Sequence, residues 1–162
     1  MIPGRRILVH LDTQTLELRD GDRVLARCPV STGSNGPGEQ RDSGCTPRGR
    51  HRIRLRIGDG CPANTVFVGR RPTGEIYSAE LAAQEPDRDW ILTRILWLTG
   101  TEPGRNRGSC VDTLRRYIYI HGCPDTAPLG EPLSHGCIRM RNADLIALFD
   151  QVDAGTIVDI VE

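Results

Sequence analysis

The chain has 162 residues, which is the usual size of one domain, so a single domain over residues 1–162 is predicted. Its 21 basic and 21 acidic residues cancel, and zero net charge argues against DNA or RNA as a partner, because such partners select for excess positive charge. The longest apolar runs, such as residues 95–98, are far shorter than the roughly 20 residues of a membrane-spanning helix, so no span is predicted.

Short strands separated by glycine and proline dominate the chain. Alternation of apolar and polar side chains predicts strands at residues 5–12, 15–19, 23–30, 52–57, 65–69, 91–98, 117–121 and 156–161. The Asp20-Gly21-Asp22 segment predicts a hairpin turn, and the Gly, Ser, Asn and Pro residues of 31–47 predict a loop. The fold class is therefore mainly β.

Two segments have helical character. Residues 78–84 show it weakly, whereas residues 143–152 place apolar side chains at helical spacing. Asn142 is expected to be the N-cap of the second helix, and Gly155 is expected to end it as a C-cap.

The N-terminal residues contain no apolar segment followed by a cleavage site, so the sequence predicts a protein that stays in the cytoplasm. The six cysteines are then expected to be free thiols, because disulfides are rare in a reducing compartment.

Candidate chemistry concentrates in residues 121–139. A cysteine and a histidine brought together are the residue pair of thiolate acyl transfer, since imidazole takes the thiol proton and returns it to a leaving amine. His121 ends a predicted strand and Cys137 lies in a glycine-containing turn. The N–H groups around Gly136 could form an oxyanion hole, and Arg139 could lower the thiol pKa or bind a carboxylate.

The same segment allows a different interpretation. Two His-Gly-Cys triplets place His121, Cys123, His135 and Cys137 close together, and two histidines with two thiolates form a complete tetrahedral zinc set. The spacing of one residue within each pair is shorter than zinc sites usually have. From residue types alone, both a Cys/His enzyme and a zinc-binding structural domain remain possible.

Several separate stretches resemble the YkuD family of L,D-transpeptidase catalytic domains. The matching segments are Ile120-His121-Gly122, Ser134-His135-Gly136-Cys137-Ile138-Arg139-Met140, Pro29-Val30-Ser31-Thr32-Gly33, Thr46-Pro47-Arg48-Gly49, and Gly155-Thr156 with Val158. The resemblance covers most of the chain. It implies a YkuD-like β-sandwich of mixed sheets with one helix after the catalytic cysteine.

The resemblance also implies roles for individual residues. Cys137 would be the nucleophile, His121 the general base, and Gly136 with His135 the oxyanion region. Ser134, Gly122 and Arg139 would support the site or contact substrate. Cys123 falls where the family varies, so the resemblance disfavours zinc and implies neither a metal nor another cofactor.

The implied substrate is the stem peptide of the bacterial cell wall, attacked at the L-centre of its diamino residue with release of D-alanine. Arg107, together with residues 115–116, is a candidate binder of the stem carboxylates. Because no export signal is present, the chain resembles short cytoplasmic members that act as L,D-carboxypeptidases in wall recycling. The alternative is an exported, periplasmic L,D-transpeptidase that forms 3-3 cross-links.

Overall fold

The computed structural model of the protein describes residues 2–162. In that range, the strands and α-helices are β1 (Arg5–His10), β2 (Thr15–Asp20), β3 (Arg23–Ser31), β4 (Gly49–Ile57), β5 (Thr65–Val68), β6 (Arg71–Ile76), α1 (Ala79–Gln84), β7 (Ile91–Gly100), β8 (Tyr119–Gly122), β9 (Ile138–Met140), α2 (Asn142–Phe149) and β10 (Ile157–Val161), with a 3-10 helix at Ser109–Val111. Neither helix is long and apolar enough to cross a membrane.

The strands join in one continuous sheet, in the order β4-β10-β1-β2-β3-β9-β8-β7-β5-β6. Since β4 also pairs with β7, the first eight strands of that order form a closed ring, and the β5–β6 hairpin extends from it. The pairs β1–β10 and β8–β9 are parallel and the others antiparallel. The expectation of a mainly β fold with mixed pairing and one main helix, which follows Cys137, is confirmed.

One hydrophobic core packs against the ring. Its side chains come from strands in which buried apolar residues alternate with more exposed ones. In β1, Ile7 and Val9 are fully buried. Ile7 pairs with Val158 of β10 and Val9 pairs with Ile160, and both partners are buried as well. Every ring strand and helix α2 contribute to the same cluster. Each such side chain stabilises the fold by about 1.5–3 kcal/mol relative to exposure.

The hairpin turn between β2 and β3 lies where the sequence predicts it, with Gly21 at a φ of 59°. The predicted strand at 117–121 begins two residues later, because Tyr117, with a φ of 57° and its N–H bonded to the Leu114 carbonyl, still belongs to the preceding turn.

Both predicted caps of the second helix are wrong. Asn142 is the first helical residue rather than the N-cap, and its side chain bonds to Thr93 and to the carbonyl of Cys123. The helix ends at Phe149, before the predicted end at residue 152. Gly155 lies beyond it and donates its N–H to the Ile53 carbonyl, so it joins the chain to β4.

Candidate active site

The two central residues of the site come from neighbouring parallel strands. The register of β8 and β9 pairs Ile120 with Ile138 and His121 with Arg139. Cys137 directly precedes β9, and its Sγ accepts the N–H of Tyr119 at 3.3 Å. Because successive side chains of a strand alternate in direction, His121 and Cys137 lie on the same face of the sheet. The structure therefore places Cys137 and His121 on one face of adjacent strands, and their roles as nucleophile and base stay predictions.

Residues 134–137 form the turn that carries Cys137, called here the catalytic turn, and Ser134 closes it. Its hydroxyl donates to the carbonyl of Cys137 at 2.5 Å and accepts the N–H of Gly136 at 3.1 Å. Ser134 is buried, so it shapes the turn from inside rather than facing a substrate. Since the Gly136 N–H is used within the turn, the remaining oxyanion donors of the predicted region are the N–H groups of His135 and Cys137.

A platform from the N-terminal half supports this turn. Ser134 donates its N–H to the carbonyl of Thr32 at 2.8 Å and accepts the N–H of Ser34 at 2.9 Å. Thr46 Oγ1 donates to the Gly136 carbonyl at 2.8 Å and accepts the N–H of Gly33 at the same distance. The two motif stretches near residues 32 and 46 thus hold the catalytic turn.

Gly136 adopts a φ of 124°, which L side chains rarely reach. A Cβ at this position would lie 3.1 Å from the carbonyl oxygen of Cys45. Backbone conformation and close approach both require glycine here.

The Cys137 thiol is protonated at rest. Its Sγ donates to the Tyr117 carbonyl at 3.3 Å. Burial at the edge of a second hydrophobic cluster with Phe67 and Ile95 raises the pKa of Cys137 to about 12, and the Tyr119 N–H and Arg139 oppose this only in part. The nucleophile becomes a thiolate only when a base takes its proton.

His121 is 1% exposed and also neutral at rest. Burial lowers its pKa, and the hydrogen bond to Gly122 opposes that shift. Its Nδ1 lies 2.7 Å from the Gly122 carbonyl oxygen, which only accepts, so Nδ1 carries the proton. Nε2 therefore holds the free electron pair that a general base needs. Gly122, expected to contact substrate, is buried, and its carbonyl fixes the orientation of the His121 ring.

A carboxylate outside the sequence motifs ties the two remaining motif residues together. Asp89 lies 3.3 Å from a guanidinium nitrogen of Arg139 and 3.5 Å from Nδ1 of the exposed His135. Arg139 also donates to the Leu133 carbonyl at 3.4 Å. These contacts brace both ends of the catalytic turn.

Arg107 is exposed in a loop anchored by the buried Asn106, whose amide donates to the carbonyls of Arg48 and Arg50. Within residues 2–162 it forms no hydrogen bond or ion pair with the site residues named above. Its predicted role as a substrate binder stays a prediction.

The four residues of the zinc alternative do not converge. The thiol of Cys123 is buried and donates to the Met140 carbonyl at 3.3 Å, whereas His135 points to Asp89 at the surface. Across residues 2–162, no group of three or more His, Cys, Asp or Glu side chains is arranged to hold a metal ion. The zinc alternative is therefore dropped.

Sequence reasoning missed two contributors to the site. Thr46 begins the Thr46-Pro47-Arg48-Gly49 motif, and nothing else in the sequence indicates that its hydroxyl contacts the turn that carries Cys137. Asp89 lies in a loop with several other acidic residues, and nothing in the sequence distinguishes it from them.

Comparison with known proteins agrees with this architecture. The YkuD family model, described as the L,D-transpeptidase catalytic domain, matches residues 4–160. The probable L,D-transpeptidase YbiS of Escherichia coli is 30% identical over 66% of this chain and 35% of its own length. The putative L,D-transpeptidase YkuD of Bacillus licheniformis is 27% identical over 96% of this chain and 64% of its own length.

Among solved structures, L,D-transpeptidase 3 from Mycobacterium tuberculosis superposes with a TM-score of 0.59 at 20% identity, covering 99% of this chain and 62% of its own. The L,D-transpeptidase from Xylanimonas cellulosilytica gives 0.56 at 20% identity, covering 98% of this chain and 61% of its own. These likenesses show the fold, and the chain spans about a third of the length of YbiS and about two thirds of that of YkuD. By its sequence, its fold and its His-Gly and Ser-His-Gly-Cys segments, the chain belongs to the YkuD family of L,D-transpeptidase catalytic domains.

Proposed function

We propose that this domain catalyses cysteine-dependent acyl transfer on peptidoglycan stem peptides. The observation that carries the proposal is the placement of Cys137 and His121 on one face of adjacent strands, with a hydrogen bond from Nδ1 of His121 to Gly122 that leaves Nε2 free to act as a base. The relatives named as L,D-transpeptidases support the substrate class.

The chemistry follows from the protonation states. His121 Nε2 takes the thiol proton as the sulfur of Cys137 attacks the carbonyl carbon of the diamino residue at its L-centre. The carbonyl oxygen gains the negative charge, which the N–H groups of His135 and Cys137 stabilise. The carbon–nitrogen bond to D-alanine then breaks, the amine nitrogen takes the proton from His121, and a thioester remains.

The thioester is resolved by water or by an amine. We favour water, which makes the domain an L,D-carboxypeptidase of wall recycling. Although the Cys137 sulfur packs against the second hydrophobic cluster, part of the residue remains exposed, so an acyl group on it would stay in reach of solvent. A cytoplasmic location belongs to the same proposal and is checked by cell fractionation.

The alternative is an exported L,D-transpeptidase that uses the amine of a second stem to form a 3-3 cross-link. This alternative is favoured by a cavity of about 180 Å³ lined by Asp89 and Arg139, which offers room for an acceptor stem.

Mass spectrometry of a defined tetrapeptide stem, with and without excess acceptor stem, tests the function. We expect loss of D-alanine and, in the favoured branch, a tripeptide even when acceptor is present. A cross-linked dimer would establish the alternative branch, and no release of D-alanine would refute both.

Two cysteine variants separate chemistry from folding. Cys137→Ala should abolish turnover, whereas Cys123→Ser should retain most of it, because a serine hydroxyl can still donate to the Met140 carbonyl. Equal loss in both variants would contradict the assignment of Cys137 as nucleophile.

A further inference from the structure

A cavity of about 250 Å³ adjoins the catalytic turn on the side of Tyr117. Three arginines line it, Arg41, Arg115 and Arg116, together with His135 and one acidic residue, Asp42. The charges around this cavity, called here the arginine cavity, are thus mainly positive although the whole chain is neutral.

The three arginines lack ion-pair partners within residues 2–162, unlike Arg48, Arg50 and several others that contact carboxylates directly. Longer-range interactions with carboxylates remain: Asp112 acts on Arg115, and both Glu39 and Asp42 act on Arg116, although Glu39 is itself paired with Arg48. With three arginines and one carboxylate in its lining, the arginine cavity keeps an excess of positive charge.

Arg116 is held in place by neutral acceptors. Its guanidinium donates to the carbonyls of Cys45 at 2.6 Å and Gly38 at 3.3 Å, and to Ser43 Oγ at 3.4 Å. Burial lowers the pKa of Arg116, which means that desolvation of this cation is not fully repaid by its surroundings. An oriented, partly buried cation beside a cavity suits an anionic ligand.

The arginine cavity begins where the reaction takes place. Tyr117 lines it, and the Tyr117 carbonyl accepts the hydrogen bond from the Cys137 thiol. The positive charge of Arg116 reaches that thiol and lowers its pKa, against the larger effect of burial. A group bound in the cavity would therefore lie next to the carbonyl that Cys137 attacks.

We propose that the arginine cavity binds the C-terminal carboxylate of the residue that the enzyme releases. This inference rests on the proposed function, because it assigns the part of the stem peptide that the site recognises. A guanidinium pairs well with a planar carboxylate, and only a peptide that ends one residue after the attacked carbonyl places its terminal carboxylate there. The cavity would make the enzyme specific for free peptide ends.

The experiment compares two tetrapeptide stems that differ only in ending as a free acid or as a primary amide. The variant is the double substitution Arg41→Gln/Arg115→Gln, because no hydrogen bond from either side chain contributes to the catalytic turn in residues 2–162. Arg116 is left intact since it holds residues 38–45 in place. Arg23→Gln, an exposed position at the start of β3, is the control for loss of positive charge alone.

With the acid, the double variant should lose roughly 10- to 100-fold in kcat/KM, the effect of removing charge-assisted hydrogen bonds, and Arg23→Gln should change it less than about twofold. With the amide, wild type and double variant should be equally slow. If wild type does not turn over the amide at all, this preference for the free acid supports the inference. The comparison of wild type with the double variant on the acid then decides whether the arginines are responsible.

An equal loss on acid and amide, or no loss on the acid, would overturn the inference while leaving the proposed function standing. Failure of wild type to release D-alanine from the acid would instead refute the proposed function itself.

Discussion

Thr46 Oγ1 donates a hydrogen bond of 2.8 Å to the carbonyl of Gly136, across 90 positions of sequence. The same oxygen accepts the N–H of Gly33, so one buried hydroxyl joins two loops under the nucleophile. The catalytic turn is therefore fixed by a distant side chain as well as by its own residues.

Replacing Thr46 by valine keeps the shape of the side chain and removes both hydrogen bonds. Because the Gly33 N–H and the Gly136 carbonyl are left buried without this partner, the free energy of unfolding should fall by about 1–3 kcal/mol, and acylation of Cys137 should slow. Chemical denaturation and intact-mass kinetics measure the two effects. Thr46→Ser should behave like wild type, and an unchanged stability of Thr46→Val would contradict the role given to the hydroxyl.

Gly136→Ala should destabilise the protein and slow acylation strongly. The alanine would have to keep a φ of 124° with its Cβ 3.1 Å from the Cys45 carbonyl. We expect a loss of about 1–3 kcal/mol in the free energy of unfolding, the usual cost of such a strained backbone. Gly104→Ala is the matched control, because Gly104 also has a positive φ, 79°, with open space around it. Equal effects of the two substitutions would show that the approach to Cys45 is unimportant.

The resting thiol should react differently with two kinds of reagent. Iodoacetamide needs a thiolate, and burial holds the pKa of Cys137 at about 12, so at pH 7 alkylation should be slower than at the exposed Cys110. An activated acyl donor engages His121 as base, so Cys137 should be the first cysteine acylated. Peptide mapping after short exposures measures both rates. Fastest alkylation at Cys137 would mean that the resting site is a thiolate–imidazolium pair.

Stability should fall on both sides of neutral pH. Burial lowers the pKa of His51 from 6.5 to about 4 and also lowers that of His121, so the unfolded chain takes up protons below pH 6.5 that the folded chain refuses. The His51 shift alone corresponds to about 3 kcal/mol lost once the pH is below 4. Above pH 9, the unfolded chain releases thiol protons that folded Cys137 and Cys28 keep.

Urea denaturation at a series of pH values measures this profile. His51→Gln should reduce the slope of stability against pH between 6.5 and 4 by about one proton. An identical slope in wild type and His51→Gln would show that His51 is protonated in the folded protein.

Local sequence determined which strand faces are buried and which two residues form the centre of the candidate site. Period-two alternation set which faces of β1 and β10 are buried, because strand geometry depends on neighbouring residues only. The His121 and Cys137 assignments came from a motif whose two halves lie within 17 positions of each other, on strands that pair directly.

Tertiary structure alone decided the contacts that join distant parts of the chain. The caps of α2 were mispredicted because Asn142 finds buried partners in Thr93 and the Cys123 carbonyl, which replace the local bond that an N-cap makes. Asp89 and Arg116 are surface charges like many others until folding places them beside the catalytic turn. The composition shows that acidic and basic residues are equal in number, but only the packing of the loops decides where positive charge accumulates, and here that place is beside the Cys137 thiol.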